Sequence, residues 1–265
     1  MIPRAPHTPH LRARAWATAT AVAAGVCLVV AGTPGDPPRT DDAADATGPP
    51  GAAVAFASPL GLDARARAVG GTGAAAARQP VGAVALTFDD GPGPATEAVL
   101  TVLAKHDVRA TFFMLGDRVS WRGFTAQRVA AEGHQVANHS WNHADMSTLS
   151  SWDVRWQVEN TRSLIKGYTG ITTTVFRFPY GKMDDRTRGI VSGLGLRVVR
   201  WDVDPRDFEQ PSADTLVERV VTRVQPGRVN VVLLHDGGGD RQQTIAALDR
   251  MIPHLREQGY AFVLV

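Results

Sequence analysis

The 265-residue chain has one cysteine, Cys27, so it lacks the material for an internal disulfide or a cysteine-rich zinc site. It also lacks a basic excess in its larger part. Residues 1–80 carry seven arginines against five aspartates, whereas residues 81–265 carry 21 lysines and arginines against 21 aspartates and glutamates. The formal charge of +2 therefore belongs to the first eighty residues. The balanced remainder argues against a broad nucleic-acid footprint, which needs clustered cations. No internal repeat is present. The length allows one or two domains and a single large core.

What is there falls into three stretches. Arg4, Arg12 and Arg14 precede 18 uncharged residues, Ala15 to Gly32, that end in Val29-Val30-Ala31-Gly32. A basic start, an apolar centre and a small-residue exit read as a signal peptide over residues 1–32, with an uncleaved signal anchor as the alternative. Val26 is branched where a lipoprotein signal has a small residue, so Cys27 reads as part of the apolar centre. Residues 33–80 hold fourteen Ala, seven Gly and seven Pro with no sustained apolar period. Such a stretch buries too little surface to offset its ordering entropy and is expected to be a disordered linker. The chain is thus expected to be exported, and either secreted or tethered at the cell surface; any contact with a membrane would be through the anchor alone.

Residues 81–265 alternate between two periods. Strands are expected at Val81–Phe88, Ala110–Leu115, Gln135–Asn138, Thr174–Phe178, Arg197–Asp202, Asn230–Leu234 and Tyr260–Val265. Helices are expected at Pro94–His106, Phe124–Glu132, Ser147–Tyr168 (opened by Ser147, closed by Gly170), Asp184–Ser192, Ser212–Val224 and Gln242–Glu257. This predicts an α/β fold with a mostly parallel sheet, helices outside and about seven strands, either a barrel or an open sheet. Asp89, Asp90, His139, Arg177, Asp204 and His235 all fall at C-terminal strand ends. Sites of α/β folds gather there, which favours the barrel.

Five short segments carry the chemistry. In Thr87-Phe88-Asp89-Asp90-Gly91-Pro92, two adjacent carboxylates cannot both be buried and ionised without a cation, so one can hold a metal while the other handles protons; alone, the segment is equally a solvated turn. In His139-Ser140-Trp141-Asn142-His143, a helical turn would put both imidazoles on one face, within reach of one ion together with Asp90. Ser140 stands where a zincin has its glutamate, so that motif's general base is missing. Surface histidines are the plainer alternative. In Phe176-Arg177-Phe178-Pro179-Tyr180-Gly181, Arg177 can hold a carboxylate bidentately and the turn can aim a backbone N–H at a ligand. The fourth segment is Asp204-Pro205-Arg206-Asp207-Phe208. The fifth, Leu233-Leu234-His235-Asp236, ends an apolar strand in a histidine that suits a general acid or a structural hydrogen bond. His106, His134 and His254 are expected to be solvated, and Gly237–Gly239 to be mobile beside the cleft.

In order, the five segments resemble the motifs of the polysaccharide deacetylase family (NodB homology domain, carbohydrate esterase family 4), from about residue 81 to the last residue of the chain. Asp107–Phe113 and Glu132-Gly133-His134 resemble it too. The resemblance implies a distorted (β/α) barrel and a divalent metal, zinc first, bound by Asp90, His139 and His143. It further implies Asp89 as general base tuned by Arg177, and the Tyr180 N–H as oxyanion donor. His235 would be the general acid supported by Asp207, with Pro179, Tyr180, Phe208 and Leu233 at the substrate and Ser147 bracing the metal-binding loop. Phe208 stands where many members have Trp, and Phe178 where many have Pro. The implied reaction removes the N-acetyl group of N-acetylglucosamine-type residues in peptidoglycan or a chitin-like polymer, releasing acetate, with the enzyme a monomer. An O-acetyl xylan esterase is the nearest alternative. An inactive carbohydrate-binding barrel is disfavoured because no member of the base, ligand and acid set is missing.

Overall fold

The computed structural model describes residues 79–265; the signal segment, the linker and Cys27 lie outside the described residues. Thirteen main elements follow one another: β1 (Gly82–Gly91), α1 (Thr96–Lys105), β2 (Thr111–Met114), α2 (Gly116–Ala131), β3 (Gln135–Asn138), α3 (Ser151–Thr169), β4 (Val175–Phe176), α4 (Asp185–Gly193), β5 (Arg197–Val198), α5 (Ala213–Val221), β6 (Val229–His235), α6 (Gln242–Glu257) and β7 (Tyr260–Phe262). All strand pairs are parallel, in the order β5-β4-β3-β2-β1-β6. β6 takes one edge of β1 from Ala83 to Asp89, so β7, at Gly82–Val84, and β2, at Thr87–Gly91, share the other. β1 is the central strand, and its apolar run from Val84 to Phe88 is fully buried on both faces.

Strand alternation divides β1 between two environments. Val84, Leu86 and Phe88 face the main core, packed against helices through Val99, Leu103, Leu248 and Ile252; Phe88 stacks on Phe112 of β2 at 5.1 Å. Thr87 and Asp89 face the inside of the curl, where Thr87 donates to the Val232 carbonyl of β6 at 2.7 Å. The curl is a half-barrel rather than a regular closed cylinder. After β5 the expected strand to Asp202 breaks into an irregular crossing. The Val199 N–H still bonds β4 at the Phe176 carbonyl (2.8 Å), while the Asp202 and Val203 N–H groups already bond the Val231 carbonyl of β6 (2.8 and 3.1 Å). That crossing, not a ladder, joins the two edges.

The bounds of two helices and three strands differ from expectation. α2 begins at Gly116, well before Phe124, and bends at Arg122 (φ −131°, ψ 37°). α3 is capped by Ser150, whose hydroxyl accepts the Asp153 N–H, and not by Ser147, which lies in a separate 3-10 turn. Gly170 closes α3 in the left-handed region (φ 73°), as its position after the last apolar residue predicts. β4, β5 and β7 are only two or three residues long. Apolar runs mark buried segments there, but ladder pairing depends on neighbours.

Candidate active site

The site lies at the C-terminal ends of β1, β3, β4 and β6. Asp89 points inside the curl by strand alternation, and in a regular strand Asp90 would point away from it. The β1–β2 register shifts between Asp89 and Gly91, and Asp90 adopts φ 70°. This bulge turns the second carboxylate toward the same cluster as the first. Asp90 is held from behind by Gly237, where an added Cβ would collide with the Asp90 carbonyl oxygen. The Gly237–Gly239 strap is therefore packed against the site through its glycines, a closer role than the mobile rim expected of it.

His139 and His143 meet without a helix. Ser140 (φ 74°) and His143 (φ 61°) are both left-handed, and the loop they form is pinned by Gln157 of α3, whose side-chain Oε1 accepts the Trp141 N–H at 2.7 Å. The two rings come within 5.0 Å. The expected helical turn is replaced by a loop that needs two left-handed residues, which spacing alone does not reveal.

His139 Nδ1 bonds the Arg177 carbonyl at 2.8 Å, which fixes its tautomer and leaves Nε2 as the free acceptor. Burial pushes this imidazole down to about 3, so it is neutral. Asp90 Oδ1 is buried with no hydrogen-bond partner, 3.7 Å from His139 Nε2 and 3.4 Å from His143 Nε2. One ligand atom from each residue lies within 4.8 Å of the others. A buried orphan carboxylate oxygen facing two imidazole nitrogens fits a divalent cation.

Arg177, 1% exposed, donates through one guanidinium nitrogen to Asp89 Oδ1 (2.7 Å) and to Thr87 (2.8 Å), and through the other to the Arg200 carbonyl (3.3 Å). The contact with Asp89 is thus single, not bidentate, because the second nitrogen is used to hold the crossing after β5. The Arg177 guanidinium also lies over the Phe113 ring at 4.0 Å. Burial raises the Asp89 carboxyl above its ordinary value even though Arg177 pulls it down.

His235 sits beside Asp89 in the β1–β6 register. Its Nδ1 lies 2.6 Å from Asp207 Oδ1, and its backbone N–H donates to Asp207 Oδ2 at 2.9 Å, an oxygen that also accepts the Thr244 hydroxyl. Burial opposes a charge on His235, but Asp207, with the fields of Asp89 and Asp90, outweighs it and raises the imidazole above its usual value. Burial would likewise raise Asp207, yet the hydrogen bonds from His235 and Thr244 leave it lowered. Nε2 is left as a proton donor in the same cavity as the His139–His143 pair.

Asp89, Asp90, His139, His143 and His235 wall a cavity of about 470 Å³, with Arg177 and Asp207 behind them. Leu233, Tyr180 and Phe208 line it as expected. Tyr180 is 62% exposed, has φ 58° and meets His143 edge-on at 4.4 Å; Phe208 meets His235 edge-on at 6.0 Å. Pro179 is buried and does not line the cavity; its neighbour Phe178 does, because the left-handed Tyr180 turns the chain there. Ser147 donates to Asp145 Oδ1 at 2.6 Å, so it ties down the segment after His143 and touches no ligand atom. His134 is buried, accepting the Ala110 N–H at 3.1 Å, while His106 pairs with Asp249 and His254 is exposed.

The sequence profile of the polysaccharide deacetylase family matches residues 76–199. The chain is 41% identical over 189 residues to a chitooligosaccharide deacetylase of Sinorhizobium fredii, covering 67% of this chain and 87% of that protein. The chain belongs to the polysaccharide deacetylase family. A peptidoglycan-N-acetylglucosamine deacetylase of Bacillus cereus is 37% identical over 185 residues, covering 69% and 85% of the two chains. Among solved structures, a family 4 carbohydrate esterase from Streptomyces lividans in complex with acetate is similar at TM-score 0.65 and 33% identity, over 70% of this chain and 94% of that one. A pseudoenzyme of the same family from Bacillus anthracis is similar to much the same degree, at TM-score 0.64 and 33% identity, over 70% and 64%. Family membership thus gives the fold, and the side chains must argue for activity.

Sequence reasoning missed three residues that matter here. Trp201 walls the cavity and lies under Gly181, where an added Cβ would meet its ring at 2.8 Å. Arg241 lines the cavity although only 5% exposed. Asp236 is buried, with its carboxyl pushed up to about 7 by burial, accepting the Thr96 hydroxyl at 2.5 Å. The apolar strand before Asp236 is the one signal that could have marked it as buried.

Proposed function

We propose that this chain is a metal-dependent hydrolase that removes the N-acetyl group from N-acetylglucosamine-type residues of a polysaccharide. The observation that carries the reading is the pairing, across one cavity, of the Asp89–Arg177 and Asp90–His139–His143 groups with the His235–Asp207 pair. Asp90, His139 and His143 would hold a divalent cation, zinc first, which when bound polarises an amide carbonyl and acidifies water. Asp89 accepts the proton of the attacking water, with Arg177 fixing its carboxylate. The Tyr180 N–H donates to the developing oxyanion. His235, protonated and oriented by Asp207, gives its proton to the nitrogen as the carbon–nitrogen bond breaks, leaving acetate and a free amine. Leu233 bounds the acetyl methyl, and Tyr180 and Phe208 border the sugar.

The chain acts as a monomer on peptidoglycan or a chitin-like glycan, exported by its N-terminal signal. Export favours the cell wall. Among the described residues no helix is long and apolar enough to cross a membrane. Mass spectrometry of the protein incubated with peptidoglycan fragments, chitooligosaccharides and acetylated xylan, with and without chelator, tests the reading. Loss of 42 mass units (about one acetyl replaced by hydrogen) from an N-acetylated glycan, abolished by chelator, is expected. Release of acetate from xylan alone would make it an O-acetyl esterase.

A further inference from the structure

Two recesses adjoin the cavity, and arginines wall both. One is bordered by the Pro92–Pro94 turn, Arg118, Arg122 and the Gly237–Gly239 strap; the other by Leu115, Arg118 and His143. Asp90 and Gly238 line both recesses and the cavity itself, so the three spaces meet at that point. Arg118 and Arg122 are four residues apart on α2, and the bend of that helix falls at Arg122. Among the described residues Arg122 has no ion pair, and Arg118 has only a loose 3.8 Å contact with Asp117.

Arg241 stands at the inner end. Its Nε donates to the Gly237 carbonyl at 2.8 Å, which fixes the side chain, and among the described residues no carboxylate forms an ion pair with it. One of its terminal nitrogens lies 3.3 Å from where a Cβ on Gly238 would sit. Three guanidinium groups therefore surround the strap, and the anion facing them, Asp90, is the one assigned to a cation. An uncharged glycan leaving the cavity over Gly238 makes no use of this charge. A carboxylate does, since the guanidinium fork matches its geometry.

We propose that Arg118 and Arg122, with Arg241 behind them, form an anion subsite that selects glycans carrying carboxylates next to the N-acetylated sugar. Muramic-acid-containing peptidoglycan is then the preferred substrate class over uncharged chitooligosaccharide. The selection rests on the deacetylase reading; the binding does not.

The test uses the metal-loaded full-length chain and three tetrasaccharides: chitotetraose, alternating N-acetylglucosamine and N-acetylmuramic acid with free lactyl carboxylates, and the same glycan bearing stem peptides. In Arg118→Ala/Arg122→Ala, the kcat/KM ratio of carboxylated over neutral substrate falls about fivefold or more, carried by KM, and the parent's preference shrinks as salt is raised. Arg122→Glu gives a larger fall. A loss confined to the peptide-bearing glycan places the recognised carboxylate on the stem peptide; a loss confined to the free glycan places it on the lactyl group, whose carboxylate becomes an amide when the peptide is attached; a loss on both means that the subsite takes either carboxylate. Calorimetric binding of the two carboxylated glycans is measured in parallel and needs no turnover. Weaker binding by the variants without turnover by the parent sinks the deacetylase reading and leaves the subsite standing. Equal affinities for parent and variants, or no preference of the parent for carboxylated over neutral glycan, overturns the subsite.

Discussion

Asp89 and Asp90 are neighbours in sequence with opposite surroundings. Asp89 lies in the Arg177–Thr87 network inside the curl, whereas Asp90 faces two imidazoles with an unpartnered oxygen. Asp89→Asn is therefore expected to abolish turnover while the protein still binds one metal ion, and His139→Ala to lose the metal; elemental analysis beside an acetate assay separates the two. Full acetate release by Asp89→Asn would falsify the assignment of the base. His235→Ala should lower kcat by about 10²- to 10⁴-fold, the range for a positioned general acid. The raised His235 value gives a sign for pH. The acid form persists above the ordinary histidine range, and activity falls as pH rises through the folded value. Asp207→Asn removes the interaction that raises it and leaves the burial that lowers it, so the alkaline limb of the kcat profile should move to lower pH. A limb that stays in place would make some other group the acid.

The strap after β6 and the bulge in β1 form one device. Gly237 lets the strap lie against the Asp90 backbone, and a methyl group there cannot fit without moving Asp90. Gly237→Ala should weaken metal binding at least as much as it lowers stability, whereas Gly193→Ala at the end of α4, where nothing lies within 4 Å of the added Cβ, should leave metal binding unchanged and raise stability by up to about 1 kcal/mol. Competitive metal titration and thermal melts of the two variants check this. In the core, Phe88→Ala removes a fully buried ring stacked on Phe112 and should cost about 3–5 kcal/mol in denaturant unfolding. The β1 segment was legible as a continuous apolar run, and the long helices because burial repeats along them with a helical period. The short strands were legible in place but not in length: β4 and β5 are two residues long, and beyond them the chain leaves the ladder for the crossing that Arg177 holds. Nor was the His139–His143 loop, because left-handed residues at Ser140 and His143 are selected by Gln157 and Asp90, which lie far away in sequence.

The molecule separates what holds it together from what reacts. The main core lies between sheet and helices and contains none of the proposed ligands, so chelation should abolish deacetylation while leaving the far-ultraviolet circular dichroism unchanged, and added metal should restore activity. A chelated protein that unfolds would tie the site to the fold instead. The order of the motifs, the alternation of strand and helix and the placing of polar residues at strand ends are properties of the chain as written, since period and composition act locally. They determined the α/β class and the family, and they named most of the residues that gather at the candidate site. Which atoms meet was decided by tertiary structure alone. The bulge turns Asp90 beside Asp89, the curl of the sheet brings His235 at the end of β6 and His139 after β3 to one cavity, and the bend of α2 sets Arg122 beside the Gly237–Gly239 strap. Each of these depends on a contact between segments far apart in sequence, which no local pattern encodes.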